Sequence, residues 1–300
     1  MGEVWGAGRP RGGRPVSRHP LALVAGRPLG RPGRAGGRGI PLALRNPVAN
    51  SPEPVLRCGA RIGFGGVSVS GPCVLRGGRL IFSEPAVDRI YLQAIDRARR
   101  GEGLGPIALP LNFARLDAAA QIIVLTNVER VDRGLPPVAG TTPALHRAAL
   151  VGAQHSTDPV LGLSGMALVR LWGDGGGTVG WGSNWAGGEG PDQVLAAWFG
   201  WMYADGWGGV GHTFNLACTS PSAAGCWGHR DNILRDWGPV PAMGVAAVEV
   251  AAQQYSYATI FVQGLGLPLA TPLDRAWRVG PTSANPVVLF PLRQRAGDTR

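Results

Sequence analysis

Apolar positions recur in two different rhythms along the chain. Between residues 84 and 100, Val87, Ile90, Tyr91, Ala94 and Ile95 fall three or four apart, the spacing of one helix face. A second helix is predicted from Asp117, a good N-cap, with the stripe Ala120, Val124, Val128 and Val131; Gly134 and Pro136-Pro137 end it. A third follows Thr142-Pro143, a cap and a first-turn proline, with Leu145, Ala148, Gly152 and His155 as its core stripe. A fourth starts at Gly190-Pro191, presents Val194, Leu195, Trp198, Trp201 and Met202, and stops at Gly206. The rhythm of two appears near the end. Met243 to Val250 is small and apolar. Tyr255 to Gln263 alternates Tyr255, Tyr257, Thr259 and Phe261 with Ala258, Ile260 and Val262. Four residues join the two runs, which predicts a hairpin. Short apolar stretches at Ile62–Phe64, Val67–Val69 and Leu80–Phe82 predict a small β-element over residues 57–82. Helices first and strands last, without βαβ alternation, predicts an α+β fold with an antiparallel sheet.

Composition sets limits around that core. The chain has 300 residues, with 48 Gly and 26 Pro, which predicts long loops or unfolded ends. Residues 1–50 lack apolar periodicity and are expected to be a disordered Arg/Gly/Pro-rich arm or a spurious start. Residues 51–109 then form the β-element and a helix leading into a domain at 110–267, and 268–300 form a flexible tail. The net charge is +10, carried by 29 Arg and no Lys. Its distribution argues against a nucleic-acid-binding domain. Residues 1–50 carry +8, 51–103 carry +3 and 271–300 carry +3, whereas 104–270 carry −4. No apolar run is long enough to span a membrane. Leu21–Ala25 is too short for the core of a secretory signal, so the chain either stays inside the cell or starts elsewhere.

The order of motifs carries a resemblance. A helix holding Asn127-Val128-Glu129-Arg130 runs into Gly134-Leu135-Pro136-Pro137. The helix ending in His155-Ser156-Thr157-Asp158 follows, then Gly182-Ser183-Asn184-Trp185-Ala186-Gly187-Gly188 and the helix with Trp198 and Trp201-Met202. Last come Gly228-His229-Arg230-Asp231-Asn232-Ile233-Leu234 and the hairpin. Over roughly residues 110–265 this resembles the bacterial branch of the CAP superfamily of cysteine-rich secretory, antigen 5 and pathogenesis-related class 1 proteins. The resemblance implies a three-layer αβα sandwich, an extracellular or cell-surface location, and binding or interaction roles. It also implies a cleft where two His and two Glu hold a divalent metal. Only His229 matches those ligands. Ser183 stands where the first Glu is expected, the helix with Trp198 has no Glu, and residues 158–180 have no His. A zinc site needs three or four protein ligands, so no metal and no other cofactor is expected.

The candidate chemistry centres on His229. The cleft is expected to hold Ser183, Asn184, Trp185, His229 and Arg230. His229 is read as a base, or as a structural residue bonded to a carbonyl. Arg230 is expected to pair with Asp205 or Asp231. Ser183 and Asp205 suggest a Ser-His-Asp arrangement with His229, although the strained Gly-x-Ser-x-Gly elbow is missing. The segment Trp207–Gly228 is longer than in simpler bacterial members, and contains Cys218 and Cys226. A local disulfide there, with Cys58–Cys73 as the other pair, is set against free thiols in a reducing cell. Eight Trp fall at 172, 181, 185, 198, 201, 207, 227 and 237 and line either a cleft or a core. Three function classes follow. The first is a non-enzymatic module binding a small apolar or glycan ligand or a protein. The second is a hydrolase using His229 and Ser183. The third is an intracellular protein whose basic arm touches nucleic acid.

Overall fold

The computed structural model describes residues 42–63, 66–161, 180–189, 194–209, 215–238, 241–251, 254–262 and 275–276. The expected arm before residue 42, Trp172 and almost all of the tail lie outside these residues. The architecture is α+β. Two antiparallel ribbons come first: β1 (Gly59–Gly63) with β2 (Gly66–Ser70), and β3 (Cys73–Arg76) with β4 (Arg79–Phe82). Cys58 and Cys73 are paired, with Cα atoms 5.7 Å apart. Helices α1 (Glu84–Gly101) and α2 (Ala118–Asp132) follow, then β5 (Gly140–Thr141), α3 (Pro143–Gln154) and β6 (Trp181–Glu189). The order closes with α4 (Val194–Tyr203), α5 (Gly228–Leu234), β7 (Ala242–Ala251), β8 (Gln254–Val262) and β9 (Arg275–Ala276).

The main sheet runs β6-β8-β7-β5-β9. It is antiparallel except for β5 and β7, which pair in parallel through Gly140–Ala242 and Thr141–Met243. The alternation of β8 separates two apolar clusters. Tyr257 and Phe261 join a cluster with Val87, Tyr91 and Ile95 of α1, Ile122 and Leu125 of α2, and Trp198 and Met202 of α4. Ala258, Ile260 and Val262 join a second cluster with Leu145, Ala149 and Ala153 of α3. The helix α1 therefore packs into the same apolar cluster as α2 and α4. The expected caps form: Asp117 accepts from Ala120 N and Thr142 from Leu145 N. His155, expected on the core stripe of α3, is instead the exposed residue that caps its C-terminal end, and Ala149 and Ala153 take the core positions.

α3 lies very close to the sheet because small residues allow it. A Cβ on Gly244 of β7 would overlap the Leu145 carbonyl. A Cβ on Gly152 would sit 2.8 Å from the Pro159 ring, so the end of α3 is closed down on the loop that follows it.

Residues 42–53, partly expected in the arm, are tied to the helices. Ala43 O accepts from Arg133 at 2.8 Å, Ser51 N donates to Tyr203 O at 2.7 Å, and Asn50 exchanges hydrogen bonds with Gly206. Polar partners, not apolar burial, hold this stretch, which is why hydropathy alone did not reveal it. Beneath it lies a buried ionic network. Glu129 receives Arg99 and Arg133 and the Tyr203 hydroxyl, Arg133 and Arg230 reach Glu102, and Arg99 reaches Asp132. Three cations meet three carboxylates, so the network is neutral as a whole. Burial opposes ionisation of Glu129, but Arg133 and Arg99 outweigh it and hold the carboxyl below its ordinary value. Among the described residues no helix is long and apolar enough to cross a membrane.

Candidate functional site

The cavity of interest, about 660 Å³, opens beside the edge strand β6 and is walled by α4, α5 and the loop after α3. His229 enters it from the first turn of α5. That turn is built on Asp205. Its Oδ2 accepts the backbone N–H groups of His229 at 2.8 Å and Arg230 at 3.2 Å, serving the otherwise unpaired amides of the helix start. Its Oδ1 meets His229 Nδ1 at 2.6 Å and accepts from Asn215 Nδ2 at 2.8 Å. Asn215 also donates to Gly225 O at 2.7 Å. Cys226 follows Gly225 and is paired with Cys218, their Cα atoms 4.4 Å apart. Trp227 enters the helix in the left-handed region, at φ 63°, and its N–H donates to Asp205 O. One buried carboxylate thus fixes the loop, the helix and the imidazole.

On its other side, His229 Nε2 lies 3.7 Å from Asp158 Oδ1. Burial alone would push the imidazole down; the Asp158 and Asp205 carboxylates overcome it and push the pKa up to about 9. Burial raises the Asp205 carboxyl, and His229 and the two backbone N–H groups offset part of that rise. Near neutral pH His229 is therefore an imidazolium with both nitrogens protonated. It can donate or hold negative charge, but it has no lone pair with which to take a proton.

Ser183 lines the same cavity as His229. It pairs across the sheet with Ile260, on the α3 side, whereas α5 packs on the opposite side. No hydrogen bond joins the two side chains among the described residues. What links β6 to α5 is Asn184 Nδ2, donating to His229 O at 3.2 Å, and Asn232 Nδ2, donating to Ser183 O at 2.8 Å. Asn184 is fully buried and stands behind the wall, not in the cleft. Arg230 is also buried. Its guanidinium donates to Met202 O and reaches Glu102; only its backbone N–H touches Asp205, so the expected pairing of its side chain with Asp205 or Asp231 is absent.

Trp185 lines the cavity half-buried, with its indole N–H on Ser256 Oγ at 2.8 Å. Trp201 donates to Trp185 O and is buried, as are Trp198, Trp227 and Trp237, so most of the described tryptophans are core. Other lining residues were not expected in the cleft: Glu53, Tyr91, Asp158 and Asn215. Only Asp158 sat within a quoted motif, and nothing local signals that a residue before the first strand, Glu53, reaches this cavity. Among the described residues no group of three or more His, Cys, Asp or Glu is arranged to hold a metal ion. No family model, curated protein or solved structure matches the chain.

Proposed function

We propose that the chain is a CAP-like, three-layer αβα domain working as a non-enzymatic binding module outside the cell, with the β6-edge cavity as its binding site. The state of His229 carries this reading. Its Nδ1 is bonded to Asp205 and its Nε2 lies 3.7 Å from Asp158, the two carboxylates favour the protonated ring, and among the described residues no nucleophile is hydrogen-bonded to it. General-base or triad chemistry needs the opposite: a free imidazole nitrogen facing a hydroxyl. The cavity has the size of small-molecule sites and the mixed wall of aromatic rings and a few polar groups that they show. Two sheet faces, each with its own helical cover, support the layered fold. Two cysteine pairs support an oxidising location.

A thermal-shift screen of the whole chain against small apolar, glycan and peptide libraries tests this. Ligands that raise Tm for the native chain and not for Trp185→Ala are expected. Hydrolysis of any ester, peptide or glycoside that disappears in both His229→Ala and Ser183→Ala would overturn it in favour of a hydrolase.

A further inference from the structure

The β3–β4 ribbon keeps its apolar side chains in the open. Val74, Leu75, Leu80, Ile81 and Phe82 are each between 36% and 40% exposed, and none joins or packs against either apolar cluster. Cross-strand partners share a face of the ribbon. Leu75 pairs with Leu80 on the face that also holds Phe82, and Val74 pairs with Ile81 on the other. Both faces are therefore apolar. A single surface leucine is ordinary, but five large apolar side chains on one short ribbon form a contiguous patch, which marks an interaction site. Two strands alone are marginally stable, and the Cys58–Cys73 pair staples this ribbon in place.

Charge is the second observation. Between Pro54 and Ser83 the chain holds Arg57, Arg61, Arg76 and Arg79 and no Asp or Glu. All four guanidinium groups are exposed, and no carboxylate pairs with them among the described residues. Arg76 and Arg79 stand opposite each other across the turn Gly77-Gly78, whose φ values of 54° and 77° suit a two-residue hairpin loop. Like charges placed opposite each other on paired strands repel, and an anion between them relieves this.

We propose that the ribbon docks the protein on an anionic lipid surface. It lies in the boundary between headgroups and acyl chains, with Leu75, Leu80, Ile81 and Phe82 in the apolar layer and Arg76 and Arg79 on lipid phosphates. This goes beyond the cavity and stands apart from it. Charge disfavours the nearer occupants. Residues 1–41 carry eight Arg against Glu3, residues 277–300 carry four Arg against Asp298, and the ribbon of a second copy carries the same cations. A flat protein surface covers one face of a ribbon, whereas a lipid layer surrounds both. Nucleic acid supplies phosphates but no apolar medium. At an anionic interface apolar burial and phosphate attraction add together, and arginine stems lie along apolar surface while their heads stay at the phosphates.

Flotation of the full chain with vesicles at low salt tests this. One set holds phosphatidylglycerol and phosphatidylcholine in equal parts, the other phosphatidylcholine alone. Binding is expected to be at least about tenfold tighter to the anionic set. Arg76→Gln combined with Arg79→Gln should weaken it about tenfold. Leu75→Ser combined with Leu80→Ser leaves every charge of the chain in place and should also weaken it about tenfold. These side chains are exposed, so both variants should keep the native Tm. Amide exchange in β3 and β4 should slow when anionic vesicles are added. Native-level binding by the leucine variant would show that the basic ends adsorb by charge alone and overturns the proposal. Equal affinity for the two vesicle sets overturns it, as does an absence of binding. If the native chain sediments as a dimer that the leucine variant splits, the ribbon joins two copies and the lipid reading falls. None of these outcomes bears on the cavity, which the thermal-shift screen reads separately.

Discussion

His229 lies between a buried carboxylate, Asp205, and an exposed one, Asp158, and the two contribute differently. Asp205 shapes the helix start as well as the ring, so Asp205→Asn is expected to cost about 2–4 kcal/mol, as when one partner of a buried charge pair is removed. The same change should bring the His229 pKa down from about 9 towards its ordinary value, read from the imidazole proton shifts in an NMR titration. Because the folded pKa lies above the unfolded one, the imidazolium stabilises the fold fully below about pH 6.5 and loses that effect as pH rises through about 9. The Tm difference between native chain and His229→Gln should therefore be widest near pH 6 and close by pH 10. A difference that does not vary with pH would show that the ring is not charged in the fold. Elsewhere, Glu129→Gln leaves Arg99 and Arg133 without their shared carboxylate and is expected to cost about 3–5 kcal/mol. At this scale the sequence marked His229 through the order of motifs, and Asp205 and Ser183 as its candidate partners; the structure joins His229 to Asp205. Strand alternation decides the face on which Ser183 lies, and that follows from its pairing with Ile260, a long-range fact.

Elements were more legible than sites. Four of the five described helices and the final hairpin follow from spacing and caps, because one buried face per element leaves a local imprint. β6 was missed as a strand, since Gly-Ser-Asn-Trp-Ala-Gly-Gly carries little β preference and gains its shape from pairing with β8. The loop from Asn215 to Cys226 is held by one side chain and one cysteine pair. Asn215→Ala should loosen it, so that amide exchange at Trp227, His229 and Arg230 speeds up while the β7–β8 hairpin stays protected. Replacing both Cys218 and Cys226 by Ser removes a short loop closure, which is expected to lower stability by about 2 kcal/mol. Comparison of melting curves of the two chains checks this, and equal Tm values would show that Asn215 alone holds the loop.

Taken whole, the molecule ties the segment before its first strand to its helices by hydrogen bonds. A chain starting at residue 54 loses Ala43, Asn50 and Ser51 as partners of Arg133, Gly206 and Tyr203, and its Tm should fall; a chain starting at residue 42 keeps them. Hydropathy misplaced residues 42–50 because backbone carbonyls meeting buried arginines leave no apolar trace. The close seat of α3 reaches further still. Gly244 lets the helix settle on the sheet, Gly152 lets the following loop close on its end, and that loop carries Asp158 to His229. Bulk added at Gly244 has to lift the helix, and bulk added at Gly152 has to push back the loop. The place of Asp158 beside His229 thus depends on positions outside the cavity. Gly244→Ala should therefore change amide exchange in the loop carrying Asp158 as well as in α3, while α5 stays protected.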